Sequence, residues 1–200
     1  MRGTWKEKGR GLFAPLVRGL VRLGVSPSQI TVAGLLLALA AGSAAGLGRL
    51  RLAGISLILS ALCDLLDGQV ARMSGREGPA GAFLDSCFDR VAEAAVYLGL
   101  IVYFRDSPAL VLTAGAALVS SYMVSYARAR AEGLGFTCAV GLMERPERLA
   151  VLIVALLVGG RTLWIGLALL ALLSTVTFVQ RFLHVMRSAA ECQRRATPPH

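Results

Sequence analysis

Residues 64–89 read DLLDGQVARMSGREGPAGAFLDSCFD, and the fold turns on how this stretch is understood. It joins two apolar segments, about Leu52–Arg72 and about Ala82–Phe104, and sets four aspartates inside them: Asp64, Asp67, Asp85 and Asp89. The first pair is spaced i,i+3 and the second i,i+4, so each pair occupies one face of its helix. Between the pairs, the segment Met73–Ala80 contains Gly75, Gly78 and Pro79, which break the helix and turn the chain. The two helices are therefore expected to run antiparallel as neighbours. At about 1.5 Å per residue, Asp67 and Asp64 stand roughly 12 and 16 Å above that turn, and Asp85 and Asp89 roughly 10 and 16 Å. The pairs face each other at matched height.

Composition says what surrounds them. The 200-residue chain is 56% hydrophobic and 16% charged, against about 45–50% and 25% in ordinary globular proteins. Its mean hydropathy is +0.65. This predicts a helical protein of the membrane. There, a charge at the centre of a span costs about 2.5–3.5 kcal/mol, so four unpaired aspartates would cost on the order of 10 kcal/mol. They need a compensating partner. Pairing with Arg72 and Arg90 would leave four negative charges against two positive ones and would not explain the spacing. An all-oxygen site for hard divalent cations, Mg²⁺ or Mn²⁺ and two of them, accounts for both.

Working outward, the pattern predicts an all-α integral membrane protein with six transmembrane helices. They lie at about Ile30–Leu47, Leu52–Arg72, Ala82–Phe104, Ala109–Arg128, Leu149–Val158 (extending back through Glu147 and Arg148) and Leu163–His184. Before them, residues 1–27 place Trp5, Leu12, Phe13, Leu16, Val17, Leu20 and Val21 at helical spacing among Lys6, Lys8, Arg10, Arg18 and Arg22. That suits an amphipathic helix lying in the membrane interface. A signal peptide fits less well, because Arg18 and Arg22 interrupt the apolar run and no clear cleavage site follows. The expected organisation is an interfacial segment over 1–27, a membrane domain over 28–187 and a loose polar tail over 188–200.

Sidedness follows from the basic residues. With the N-terminus in the cytosol, the outer loops hold only Arg49, Arg51, Arg105 and Arg161, and the other 17 of 21 lie on or near the inner side. Both termini, and the aspartates, are thus expected to face the cytosol from the plasma membrane. The net charge of +9 does not indicate nucleic acid, since aromatics are sparse and the basic residues flank apolar segments. The four cysteines (Cys63, Cys87, Cys138, Cys192) show no C-x-x-C spacing, and only His184 and His200 are present, which argues against zinc.

The fixed positions Asp64-x2-Asp67-Gly68-x2-Ala71-Arg72-x8-Gly81-x3-Asp85-x3-Asp89 resemble the signature of the CDP-alcohol phosphotransferases at all eight places. A chance match is on the order of one in 10⁹ per starting position from average residue frequencies. The resemblance implies a six-helix fold, a homodimer and a site open to the cytosol. It further implies that Asp64, Asp67, Asp85 and Asp89 hold a pair of metals, with Asp89 as general base. Asp64, Gly68, Ala71, Arg72 and Gly81 would surround the CDP moiety of CDP-diacylglycerol or CDP-archaeol. Pro27 and Thr31, in the stretch Ser26–Thr31, resemble a further family feature at the first span, which would add Thr31 to the residues around the nucleotide.

For the acceptor, the stretches around Arg128, Arg145, Arg148 and Arg181 resemble the members that attach inositol phosphate. These four arginines would form a pocket for the acceptor's phosphate. Bacterial members of that group often carry lysine where Arg128 stands. A phosphate rewards clustered guanidiniums, whereas a neutral sugar alcohol or serine would not. Glycerol 3-phosphate, the acceptor of phosphatidylglycerophosphate synthesis, is the nearest alternative. From a different class, a divalent-cation transporter would also place carboxylates in the membrane, but with ligands near the midplane and broken helices in an internal repeat, neither of which is evident. A prenyltransferase would need two separated Asp-rich motifs where this chain has one compact set.

Overall fold

The computed structural model describes residues 14–196, all of whose regular structure is helical. After a helix over residues 14–22 (α1) come α2 (Pro27–Gly46), α3 (Leu50–Ser74), α4 (Pro79–Tyr103), α5 (Pro108–Gly133), α6 (Arg145–Val158) and α7 (Gly160–Ala196). Three of them, α2, α5 and α7, are long and apolar enough to cross a membrane. Large apolar side chains such as Leu36, Leu59, Leu112 and Leu172 face outward, while Ser121, Ser174, Thr177, Arg148 and Arg181 are buried. An apolar exterior of this extent around polar interior groups suits lipid rather than water.

Helix ends follow local chemistry. Ser26 caps α2 with a reciprocal box, its hydroxyl accepting from the Gln29 N–H and its own N–H donating to Gln29 Oε1 at 2.9 Å. Pro27 occupies the first turn, where its missing N–H costs nothing. At the other end of the aspartate-bearing helix, Gly75 adopts the left-handed conformation with φ of 64°, and the Arg76 N–H returns to the Ala71 carbonyl at 3.0 Å. Pro79 then opens α4. The break expected at Gly75–Pro79 is therefore where the chain turns.

Two expectations need adjusting. The fifth apolar segment starts earlier than Glu147, at Arg145 with Pro146 in its first turn. The polar stretch from residue 188 is helical through Ala196, not loose. Ser188–Ala196 holds alanine, glutamate, glutamine and arginine with no glycine or proline, so nothing in it stops α7 from propagating. Of the expected interfacial helix, residues 1–13 lie outside the described residues. Its remainder, α1, buries Val17 against Ile30 and Val70, with Leu20, Val21, Val25, Cys63 and Leu66 packed around them.

The chain divides into two compact units between Gly99 and Leu100. In the first, α2 packs along α3, drawn close at Gly34, whose carbonyl accepts from the Ser60 hydroxyl at 2.8 Å. The same helix meets α4 backbone to backbone: a Cβ added to Gly42 would stand 2.6 Å from the Ala95 carbonyl carbon, and one added to Gly99 would stand 2.8 Å from that of Gly42. Small residues at such crossings are how helices gain packing where no water drives them together. In the second unit, α7 packs on α5 and α6 around Ala114, Ala117, Val124, Leu163, Leu167 and Leu170.

Candidate active site

The turn at Gly75–Gly78 folds α3 back towards α4, and the carboxylates meet. Asp64, Asp67 and Asp85 each offer an oxygen, and all three oxygens lie within 4.8 Å of one another. Asp67 is buried and the other two are half-buried. Asp89, one helical turn further along α4 and half-buried, is not in this group. Arg90 pairs with Glu93 at 3.0 Å on the same helix.

Asp67 is held from a third helix. The Thr31 hydroxyl of α2 lies 2.7 Å from Asp67 Oδ2 and 3.0 Å from the Pro27 carbonyl. A hydroxyl carries one proton, so Thr31 donates to one of these acceptors at a time. The shorter contact is the charge-assisted one. Sequence reasoning placed Thr31 with the nucleotide; the structure adds that it touches a carboxylate of the cluster.

Beside the cluster lies a cavity of about 420 Å³. Thr31, Asp67, Gly68, Ala71, Arg72, Gly81 and Asp85 line it, which brings together five of the six residues expected around the nucleotide. Asp64 is not in its wall. Gly68 matters for what its side chain would displace: a Cβ there would stand 3.9 Å from both terminal nitrogens of Arg72. A larger residue would fill the space in front of that guanidinium. Ser26, Arg76 and Glu77 also line the cavity and were not singled out from the sequence. The signal was available for the last two, which sit inside the turn that the glycines mark.

In the second unit the four arginines expected to hold the acceptor's phosphate separate into two kinds. Arg128 is exposed and paired with Glu132 at 2.8 Å, and Arg145 opens α6 half-buried. Arg148 and Arg181 are 2% and 3% exposed. Arg148 donates to the Met143 carbonyl and to the Ser125 hydroxyl, each at 3.3 Å. Arg181 donates through Nε to the Val140 carbonyl at 2.8 Å and through Nη1 to the Val124 carbonyl at 2.7 Å.

Three carboxylates converging at this range make an all-oxygen donor set suited to a hard divalent cation. A helical protein with an apolar exterior, and with that cluster beside a cavity lined by arginine and small residues, fits the class of membrane enzymes with a divalent-cation site. More particularly, residues 24–185 match the CDP-alcohol phosphatidyltransferase family, and the chain belongs to it. It is a transferase. Archaetidylinositol phosphate synthase of Pyrococcus horikoshii is 40% identical over 164 residues, covering 81% of this chain and 84% of that protein. Among solved structures, Mycobacterium tuberculosis phosphatidylinositol phosphate synthase with CDP-DAG bound superposes with a TM-score of 0.80 at 34% identity, covering 86% of this chain and 92% of that one. The same enzyme in complex with manganese and citrate gives a TM-score of 0.81 at 33% identity, with 86% and 88% covered.

Proposed function

We propose that this transferase moves a phosphatidyl or archaetidyl group from a CDP-linked lipid to a hydroxyl of inositol phosphate, releasing CMP. The observation that carries the reading is the Asp64–Asp67–Asp85 cluster, two of whose members wall a cavity that also holds Gly68, Ala71, Arg72 and Gly81. In that cavity Arg72 makes charge-assisted hydrogen bonds to the diphosphate. Gly68, Ala71 and Gly81 leave room for the nucleotide. Asp64, Asp67, Asp85 and Asp89 are the residues that would hold a pair of Mg²⁺ or Mn²⁺ ions. When bound, such ions neutralise the diphosphate and stabilise the charge that develops as CMP departs. Asp89 takes the proton from the attacking hydroxyl, a role open to a carboxylate within reach of that proton.

The acceptor is read from the second unit. Arg148 and Arg181 are buried cations, and a phosphate is the ligand that clustered guanidiniums reward. Arg128 and Arg145 complete the proposed pocket. Names among the relatives support inositol phosphate specifically, an archaetidylinositol phosphate synthase and a phosphatidylinositol phosphate synthase both being among them. The same reading takes all six helices from α2 to α7 as spans. Under it, α1 lies in the interface, both termini and the site face the cytosol at the plasma membrane, and the chain works as a homodimer. Residues 1–27, 28–187 and 188–200 are then the interfacial segment, the membrane domain and the tail.

The test is CMP release by purified protein in detergent with CDP-diacylglycerol and Mg²⁺ or Mn²⁺, offered inositol 1-phosphate, glycerol 3-phosphate, free inositol or serine. Release with inositol 1-phosphate alone is expected. Release with glycerol 3-phosphate instead would keep the chemistry and replace the acceptor. Silence with every alcohol, and again with an ether-lipid donor, would return the transporter reading, which proteoliposome uptake of radiolabelled Mn²⁺ then tests.

A further inference from the structure

Between α5 and α6 the chain makes no regular structure over residues 136–143, yet it is tied along one stripe of α7. The Thr137 carbonyl lies 3.2 Å from His184 Nε2, the Val140 carbonyl accepts from Arg181 Nε at 2.8 Å, and the Met143 N–H donates to the Thr177 hydroxyl at 3.1 Å. Residues 177, 181 and 184 follow one another at i, i+4 and i+7, which is a single helix face. The strap descends as the helix rises, three residues of strap to each helical turn. Its approach is close: Gly141 has φ of 125°, and a Cβ there would collide with Thr177 Cγ2. The Met143 carbonyl turns the other way and accepts from Arg148 Nη1 at 3.3 Å.

The strap therefore holds both buried arginines by main-chain carbonyls, Arg181 at Val140 and Arg148 at Met143. Carbonyls orient a guanidinium without cancelling its charge. Thr177 is fixed from two sides, because its hydroxyl accepts from the Met143 N–H while donating its own proton to the Leu173 carbonyl at 2.8 Å. Both Met143 and Thr177 are buried, where an N–H deprived of its acceptor finds no water to replace it.

We infer that Thr177 and Gly141 are positioning residues for the acceptor's phosphate: they seat the 137–143 strap on α7, and the strap sets the direction of Arg148 and Arg181. The inference rests on the reading of those two arginines as the phosphate pocket. In this role Thr177 and Gly141 act through the two arginines. Their effect is confined to how well a phosphorylated alcohol is held, and the CDP-lipid is left alone.

The experiment uses the full chain in detergent and compares wild type with Thr177→Val, Thr177→Ser and Gly141→Ala. KM is measured separately for inositol 1-phosphate and for CDP-diacylglycerol. A displacement of about 1 Å in a positioning group costs up to about a hundredfold, so Thr177→Val and Gly141→Ala should raise the acceptor KM about tenfold or more while the lipid KM stays within about twofold. Thr177→Ser, which keeps the hydroxyl, should stay close to wild type. Both constants moving together, or neither moving, would overturn the inference. If Gly141→Ala does not fold, the Thr177 pair decides alone, since valine preserves the side chain's shape. A wild type that uses only unphosphorylated alcohols brings down the pocket and the strap together; one that uses inositol phosphate while Thr177→Val remains normal brings down the strap only.

Discussion

Thr31→Val is the substitution whose effect can be worked out most fully. Valine matches threonine in shape and removes only the hydroxyl that lies 2.7 Å from Asp67 Oδ2. Helix α2 loses little by it, because the other acceptor, the Pro27 carbonyl, lies in the first turn of the helix. What is lost is one hydrogen bond to a charged acceptor, a class that contributes about 1.5–3 kcal/mol. If that bond serves to hold Asp67 in the orientation that completes the cluster, its loss appears as weakened metal binding by about 10- to 150-fold, in line with the 10–100-fold found for groups that orient metal ligands. The assay is Mn²⁺ binding followed by the disappearance of the free-ion electron paramagnetic resonance signal, with the protein in detergent and no substrate present. The metal concentration giving half-maximal CMP release should rise in parallel. Thr31→Ser should bind Mn²⁺ nearly as wild type does. Unchanged Mn²⁺ affinity in Thr31→Val would refute the reasoning and leave Thr31 as a wall of the nucleotide cavity.

Three further substitutions probe other parts of the molecule. Asp89→Asn should abolish turnover while largely preserving CDP-lipid binding in an equilibrium assay, because it removes the proposed base and only one of four proposed ligands; normal turnover would take Asp89 out of the mechanism. Arg181→Ala should raise the acceptor's KM far more than the lipid's, and an equal rise in both would make Arg181 a structural residue. Gly99→Ala puts a methyl group into the main chain of Gly42, where no flexible side chain can yield, and should lower stability by about 1–3 kcal/mol, the range for overpacking. A thermal unfolding midpoint in detergent matching wild type would show that α2 and α4 are free to move apart.

What the sequence by itself determined is whatever depends on spacing along one helix or on a local break. The i,i+3 and i,i+4 separations put Asp64 with Asp67 and Asp85 with Asp89, because side-chain direction in a helix repeats every 3.6 residues. Gly75 and Pro79 marked the turn, since one adopts the left-handed conformation without a Cβ penalty and the other cannot continue a preceding helix. Those two facts together were enough to expect the carboxylates to converge, and Asp64, Asp67 and Asp85 do. The helix bounds came out close for the same reason. The misjudged end at residue 188 came from treating polarity as a stop signal, when only glycine, proline or a cap ends a helix reliably.

Tertiary structure decided everything that needs two distant segments at one point. Thr31 and Asp67 are 36 residues apart, and nothing in either local pattern says that α2 presents one to the other. Gly42 could be recognised as small, but its meeting with Ala95 and Gly99 depends on where the α2–α4 crossing falls. The polar stripe of Thr177, Arg181 and His184 was visible in an otherwise apolar helix; that a strap from the α5–α6 connection lies along it was not. Periodicity records which way a side chain points from its own helix, whereas its partner is chosen by packing, and packing is a property of the whole chain at once.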